Sequence, residues 1–251
     1  MNLSADEAER IGAIAKELHA RYSTAFVEAF HLCPWAKRAR ETGDTRALVL
    51  PAFDGAPAIE SAVARLEASA AAVCFVIFPG FAGTRREFER WVAAQTSANA
   101  ERHGGSPPFA WAAFHPEAEF DANSAAALVP FVRRSADPTI QMIRREALES
   151  VRKPADSGTA FVDPAAMSPS ALAAMLTGAT APLHERVGDA NLATLRARRD
   201  EAERVLASLL EERDVRYATV LGGRRKPDGC GLGAGFGSGS GSDSDSGSGS
   251  G

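Results

Sequence analysis

The 251-residue sequence predicts an α/β fold: a small, mainly parallel sheet of three or four strands, with helices on both faces and extra N- and C-terminal helices. Three short apolar runs are separated by two segments of helical character. This strand-helix-strand-helix-strand order implies right-handed crossovers between parallel strands. Longer amphipathic patterns precede and follow this block, and they supply the additional helices.

The first predicted element is a long helix, because apolar residues recur at steps of three and four over residues 11–30. Ser4 and Glu7 fit a capping box at its start. Cys33 ends it, because a residue before proline is disfavoured in a helix. A short second helix is predicted over residues 34–41, with Cys33 at its N-cap.

The apolar runs are nearly continuous, which is typical of strands that are covered on both faces. Pro51 favours an edge position for the first strand, because proline cannot donate to a ladder. Thr84 and Glu87 form a second capping box. Strands are predicted at residues 47–53, 73–78 and 109–114, and helices at 57–70 and 85–101.

The second half of the chain is predicted to begin with a loop over residues 116–136. Asp137-Pro138 then fits an N-cap and a first-turn proline, so a helix is expected from there to about Arg152. Further predicted elements are a short helix at Ser168-Pro169, a longer helix over 183–213, and a fourth strand over 215–221.

The domain prediction is a single α/β domain over residues 4–221 and a disordered tail over 229–251. From Ser238 onward the sequence contains only Gly, Ser and Asp, so the tail has no apolar side chains to bury. Such a tail is a solubilising extension or an expansion of the coding sequence, or else an interaction segment.

Composition excludes several classes of protein. A formal net charge of −4 argues against a general nucleic-acid or anionic-membrane binder. The longest apolar stretch, around residues 70–78, is about half of the roughly 20 residues that a membrane helix needs. Three cysteines without a CxxC pair favour the reducing cytoplasm. The sequence identifies no cofactor and leaves the oligomeric state open.

His115 is the most specific candidate for chemistry, because it follows a predicted buried strand. An imidazole in that position can act as a base, an acid or a metal ligand. The acidic residues Glu117, Glu119 and Asp121 follow closely. The alternative is a histidine that only hydrogen-bonds a loop carbonyl. The other helix-associated histidines, including His19, are expected to be solvated.

Loops at the carboxyl ends of parallel strands are where ligands collect. One such loop contains Asp54 and Gly55. The loop at residues 79–84 contains Gly80 and Thr84 and opens a helix, so its backbone N–H groups are candidates for holding an anion. It lacks the lysine and spacing of a P-loop, and a plain strand-to-helix turn is the alternative.

Cys33 is a candidate catalytic thiol, because a helix N-cap stabilises a thiolate. Simple packing is the alternative. Arg134 and Arg144 are candidate substrate-binding residues, because guanidinium groups bind carboxylates and phosphates. Ordinary ion pairing is the alternative for them. Arg133 and Arg145 adjoin these two arginines.

Three segments together resemble the bacterial domain-of-unknown-function family fourteen-fifteen. They are Leu32-Cys33-Pro34-Trp35-Ala36, Phe114-His115-Pro116, and Arg134-Ser135 followed by Pro138-Thr139-Ile140. The family carries CPFA-like, FHP and RSPYP-type segments in that order. The resemblance implies a shared site but no substrate. Gln141 stands where the family usually has a histidine, so a site that uses both imidazoles would be altered here.

The sequence thus supports two functional hypotheses. The first is an enzyme for a small anionic metabolite, acting at a crevice that contains Cys33, His115 and Arg134. The second is a non-catalytic ligand-binding or accessory protein. Metal handling is a third reading, through His31, Cys33 and His115. All three require residues that are distant in sequence to meet in space.

Overall fold

The structure, a computed structural model, describes residues 3–51, 59–152 and 183–222. This part of the chain contains eight α-helices and four strands. The helices are α1 (Ala5–Arg21), α2 (Ala36–Glu41), α3 (Glu60–Glu67), α4 (Arg85–Arg102), α5 (Ala125–Val132), α6 (Arg145–Arg152), α7 (Leu183–Ala197) and α8 (Arg199–Val220). The strands are β1 (Thr45–Val49), β2 (Val73–Ile77), β3 (Phe109–Phe114) and β4 (Thr139–Arg144), and a π-helical segment (Tyr22–Glu28) continues α1.

The four strands form one mixed sheet in the order β1-β2-β4-β3. β1 and β2 are parallel, and β4 is antiparallel to both of its neighbours. The three predicted strands therefore run in one direction, as expected, but β4 lies between β2 and β3. β1 is an edge strand, in agreement with the position of Pro51.

The helix predicted from Asp137 to Arg152 is wrong over its first half. Residues Thr139–Arg144 form β4, and only Arg145–Arg152 is helical. β-Branched residues such as Ile140 and Ile143 favour a strand. Pairing with strands on both sides therefore outweighs the local helix-start signal.

Three further predictions for the second half need correction. The strand predicted over 215–221 belongs to α8, where Val215 is 62% exposed while Tyr217 and Val220 are buried, a helical rather than an alternating pattern. The long helix predicted over 183–213 is two helices separated at Arg198. The predicted loop 116–136 contains α5, which Ser124 caps.

Both predicted capping boxes are confirmed. The Ser4 N–H donates to the Glu7 carboxylate at 2.8 Å, and the Thr84 N–H donates to the Glu87 carboxylate at 2.7 Å. Each side chain at N3 satisfies a backbone donor that the helix leaves unpaired. These two starts are fixed by residues three apart in sequence.

Apolar side chains cover the sheet on both faces. One core cluster joins α1, the π-helical segment, α5 and α8, with Leu18, Phe131 and Leu206 among its members. The other joins the sheet to α3 and α4, with Phe88 and Met142 among its members. The prediction of helices on both faces is therefore confirmed.

His19 is a correction, because its side chain is buried rather than solvated. It is 7% exposed, and its ring lies 4.3 Å from that of Phe75 on β2. The predicted helix at Ser168-Pro169, the Asp54-Gly55 loop and the tail over 229–251 lie outside the described residues. None of the described helices is long and apolar enough to cross a membrane.

Candidate functional site at the carboxyl end of β3

The candidate site is built around His115, which directly follows β3. Its side chain is 4% exposed, and its ring packs 5.8 Å from that of Phe88 on α4. The His115 N–H donates to the Arg133 carbonyl at 3.1 Å. The end of β3 is thereby joined to the segment between α5 and β4.

Hydrogen bonding fixes which nitrogen of His115 carries the proton. The Glu117 N–H donates to Nδ1 at 3.2 Å, so a neutral ring carries its hydrogen on Nε2. Burial lowers the pKa of His115 to about 4, against weaker opposing effects of the Glu117 carboxylate and the Gly83 backbone. Nε2 is buried and makes no hydrogen bond of normal geometry within the described ranges, although the Gly83 backbone lies close enough to act on the ring. His115 at neutral pH is therefore a neutral donor, which suits hydrogen-bond donation better than general-base chemistry.

Glu117 connects the loop after β3 to the start of α4. Its carboxylate accepts from the Arg85 N–H at 3.2 Å and lies 3.9 Å from Nδ1 of His115. Arg85 also forms an ion pair with Glu89 at 3.4 Å. The charges of Glu117, Arg85 and Glu89 thus alternate in sign along this side of the site.

The loop at residues 79–84 lies beside His115, but its polar groups are engaged internally. The Thr84 hydroxyl is bonded to the Glu87 carboxylate at 2.8 Å. Gly80 has a φ of +77°, which favours glycine. A Cβ at Gly83 would lie 2.5 Å from the Phe81 ring. Gly80 and Thr84 therefore shape the turn, and their expected role in holding a ligand stays a prediction.

Two adjacent arginines follow α5 at the edge of this site. The Arg134 Nε donates to the Pro116 carbonyl at 2.8 Å. The Arg133 guanidinium lies 5.9 Å from the centre of the Phe114 ring, and burial lowers its pKa. Both side chains are half-buried, and neither has a carboxylate within 4 Å among the residues that the structure describes.

Cys33 is not joined to His115 by any hydrogen bond or charge interaction in the described part of the chain. The prediction that it caps α2 is wrong, because α2 begins at Ala36 with Trp35 at the N-cap. Burial raises the pKa of the Cys33 thiol, although the backbone of Trp35 and Ala36 opposes this. The backbone groups of Trp35 and Ala36 thus favour the thiolate, but burial outweighs them.

Arg144 lies at the opposite end of the sheet from His115. It is paired with Phe109 at the start of β3, whereas Thr139 is paired with Phe114 at its end. Five residues of strand separate the two ends by roughly 17 Å. The Arg144 guanidinium donates to the carbonyls of Ala71, Glu67 and Ser69, so it stabilises the end of α3 and does not assist Arg134.

Three polar residues near the site were not predicted from the sequence. Asp137 is 4% exposed and accepts a hydrogen bond from the Tyr217 hydroxyl at 2.8 Å. Burial raises the pKa of Asp137 to about 6, and Arg213 opposes that shift. Arg213 also donates to the Ala136 carbonyl at 2.6 Å. Locally, the sequence offers only Asp137 as a sign of this cluster, and there Asp137 resembles a helix N-cap.

The chemistry of the donor set does not indicate a metal centre. Within residues 3–51, 59–152 and 183–222, no group of three or more His, Cys, Asp or Glu side chains is arranged to hold an ion. His31 is exposed at the turn before Cys33.

A family model described as a protein of unknown function (DUF1415) matches residues 15–160, more than half of the chain. The chain belongs to DUF1415. The family indicated by the CPWA, FHP and Arg134-Ser135 segments is thereby confirmed. The DUF1415 match includes His115, Glu117 and both arginines of the site, whereas Arg213 and Tyr217 lie beyond it. Neither the curated proteins nor the solved structures give a match to the chain.

Proposed function

We propose that this DUF1415 protein is an enzyme that binds a small anionic metabolite at the carboxyl end of β3. The observation that supports the proposal is the pair Arg133 and Arg134, two half-buried guanidinium groups with no carboxylate within 4 Å in the described chain; the Glu89 carboxylate acts on Arg133 only from farther away. Removing a cation from water is costly unless an opposite charge compensates for it. An anionic ligand supplies that charge.

Most other half-buried arginines of the described chain lie beside a carboxylate. Four have a carboxylate oxygen within 4 Å: Arg85, Arg198, Arg213 and Arg216. The two others differ, because Arg144 donates to three main-chain carbonyls and Arg186 has a buried Nε without a hydrogen-bond partner in the described part. The chain also carries 32 acidic residues against 28 basic ones, so carboxylates are not scarce. What distinguishes Arg133 and Arg134 is that two adjacent half-buried arginines lack a carboxylate within 4 Å in the described chain, and that their side chains make only one hydrogen bond there, from Arg134 to the Pro116 carbonyl.

His115 gives the site a role beyond ligand binding. A buried neutral imidazole whose N–H makes no normal hydrogen bond within the protein stabilises negative charge that develops on a ligand oxygen without carrying a charge itself. Nδ1 is held by the Glu117 N–H, which fixes the ring and directs the donor. In this scheme the two arginines bind the anion and His115 donates to the reacting oxygen. Cys33 and Arg133 both act on the Tyr22 hydroxyl, but Cys33 has no hydrogen bond or charge interaction with His115 in the described chain, so this scheme assigns it no step.

Sulfate is a suitable probe for anion binding, because its charge does not change between pH 5 and 8. Calorimetric titration at constant ionic strength is expected to detect sulfate binding to the wild-type chain. Arg133→Met and Arg134→Met should each weaken binding at least tenfold, because each removes one cation. The control Arg199→Met removes an exposed arginine that is paired with Glu203, and it should bind like the wild type. Equal affinity in all four proteins, or no binding to the wild type, would contradict the proposal.

A second variant tests the donor on His115. His115→Asn keeps an oxygen that can accept from the Glu117 N–H but has no donor at the position of Nε2. We expect native stability near that of the wild type and an affinity for sulfate reduced about tenfold, the loss of one hydrogen bond to a charged group. Unchanged affinity would rule out the donor role.

A further inference from the structure

We infer that helix α8, which lies outside the family match, is part of the binding site, with Arg213 and Tyr217 as the residues that position the segment carrying Arg133 and Arg134. This inference rests on the proposed function. Arg213 and Tyr217 do not touch the ligand. They determine the position of Arg133 and Arg134, which bind it. We call residues 132–139 the arginine segment.

Two contacts from one face of α8 support this assignment. Arg213 donates to the Ala136 carbonyl at 2.6 Å, and Tyr217 donates to the Asp137 carboxylate at 2.8 Å. The two residues are four positions apart, so they project from the same side of the helix. Tyr217 and Asp137 are both buried. The contact between Tyr217 and Asp137 is therefore shielded from competition by water.

The arginine segment is also held by hydrogen bonds near its two ends. Tyr22 donates to the Val132 carbonyl, and the His115 N–H donates to the Arg133 carbonyl. At the far end, the Phe78 N–H donates to the Pro138 carbonyl at 2.9 Å. Between these points, the Pro116 carbonyl accepts from the Arg134 side chain, and the contacts from α8 hold Ala136 and Asp137. Loss of the contacts from α8 is therefore expected to move the two guanidinium groups.

Internal hydrogen bonds make Asp137 the centre of the segment. The hydroxyls of Ser135 and Thr139 both donate to its main-chain carbonyl, at 2.5 and 2.9 Å. Its carboxylate faces α8, where Tyr217 donates to it and the charges of Arg213 and Asp214 act on it. One residue thus joins the local turn to the distant helix.

The same contacts connect α8 to His115. The positive charge of Arg213 acts on both the Asp137 carboxylate and the His115 ring, disfavouring protonation of each. An ionised Asp137 offers the stronger acceptor for Tyr217. The geometry that binds an anion is therefore expected to be best formed while Asp137 is ionised.

The test compares sulfate affinity and its pH profile in the full-length chain. In the wild type, affinity should fall at least threefold between pH 7 and pH 5, because the pKa of Asp137 is about 6 and protonation weakens its contact with α8. Asp137→Asn keeps an acceptor for Tyr217 but does not titrate, so its affinity should be constant over this range. Tyr217→Phe should bind sulfate about tenfold more weakly at pH 7. Urea unfolding identifies any variant that fails to fold, and Arg213→Met provides a second removal of an α8 contact.

The outcomes separate the two proposals. If Tyr217→Phe and Arg213→Met bind like the wild type while Arg134→Met does not, α8 has no positioning role and the proposed function stands. A pH profile that is the same in the wild type and in Asp137→Asn also overturns the inference. Failure of the wild type to bind sulfate overturns both proposals.

Discussion

The two ends of β3 use arginine in different ways. At the amino end, the half-buried Arg144 donates to three main-chain carbonyls and lies 4.8 Å from the centre of the Phe109 ring. At the carboxyl end, the half-buried Arg134 donates only to Pro116, and Arg133 has no hydrogen bond or ion pair from its guanidinium within the described chain. Residue type and burial are similar, so the hydrogen-bond inventory distinguishes a structural arginine from one that is available to a ligand.

The histidines at the two ends differ in the same way. Near the amino end of β3, the His103 Nε2 lies 3.1 Å from the Glu67 carboxylate on α3. At the carboxyl end, the His115 Nε2 is buried with no such partner in the described part. Arg133 and His115 at the carboxyl end therefore lack the side-chain hydrogen bonds that Arg144 and His103 make at the amino end.

The largest expected effect comes from removing Arg144. Arg144→Met should lower the free energy of unfolding by about 4 kcal/mol, because hydrogen bonds from a charged group to three carbonyls are lost at about 1.5 kcal/mol each. Arg134→Met should lower it by about 1.5 kcal/mol, because only one carbonyl loses a donor. Urea denaturation of the two variants measures the difference. Similar losses of unfolding free energy in the two variants would show that the arginines at the two ends of β3 do not differ in this way.

Acid titration gives the next largest effect. The pKa of His115 is about 4 in the native state and 6.5 in the unfolded chain, and the same values hold for the buried His19. The unfolded state therefore binds more protons below pH 6.5, and each histidine lowers stability by up to about 3 kcal/mol as the pH falls to 4. Above pH 6.5 neither histidine contributes to the pH dependence.

Asp137 acts in the opposite direction between about pH 6 and pH 4, because its pKa is raised in the native state. Its protonation offsets part of the loss from the histidines. Urea unfolding at several pH values should therefore show a flatter acid limb for His115→Asn and for His19→Phe than for the wild type. An unchanged limb in both variants would contradict the assignment of neutral, buried imidazoles.

The smallest expected effect distinguishes the two buried histidines at neutral pH. Neither ring nitrogen of His19 has a hydrogen-bond partner among the described residues, and its ring packs against Phe75. His19→Phe should raise the free energy of unfolding by about 1 kcal/mol, because unpaired polar atoms leave the core. His115→Phe should lower it instead, because the Glu117 N–H loses its acceptor. A change in unfolding free energy of the same sign in His19→Phe and His115→Phe would show that the two buried histidines are not distinct.

Much of the fold could be predicted from patterns that are local in sequence. The capping boxes at Ser4 and Thr84 involve residues three apart, and the apolar runs identify three strands that run in one direction. β4 was missed because Asp137-Pro138 resembles a helix start. That signal is local, whereas the pairing that overrides it involves β2 and β3, more than 20 residues away.

The site was predictable only in part for the same reason. His115 could be located because it follows an apolar strand, and Arg134 because it precedes a candidate cap. Arg213 and Tyr217 meet Ala136 and Asp137 across 77 and 80 residues, a separation at which one sequence gives no pairing signal. The free Nε2 of His115 likewise depends on the tertiary packing around the ring.

The position of β4 between β2 and β3 affects how the chain folds during its synthesis. During synthesis β3 leaves the ribosome before β4, yet neither β2 nor β3 can pair along this side until β4 is inserted between them. The growing chain therefore carries two unpaired strand edges until at least Arg144 has emerged, and exposed edges of this kind can pair with other chains. A nascent fragment that stops before Thr139 is expected to need a chaperone or to aggregate.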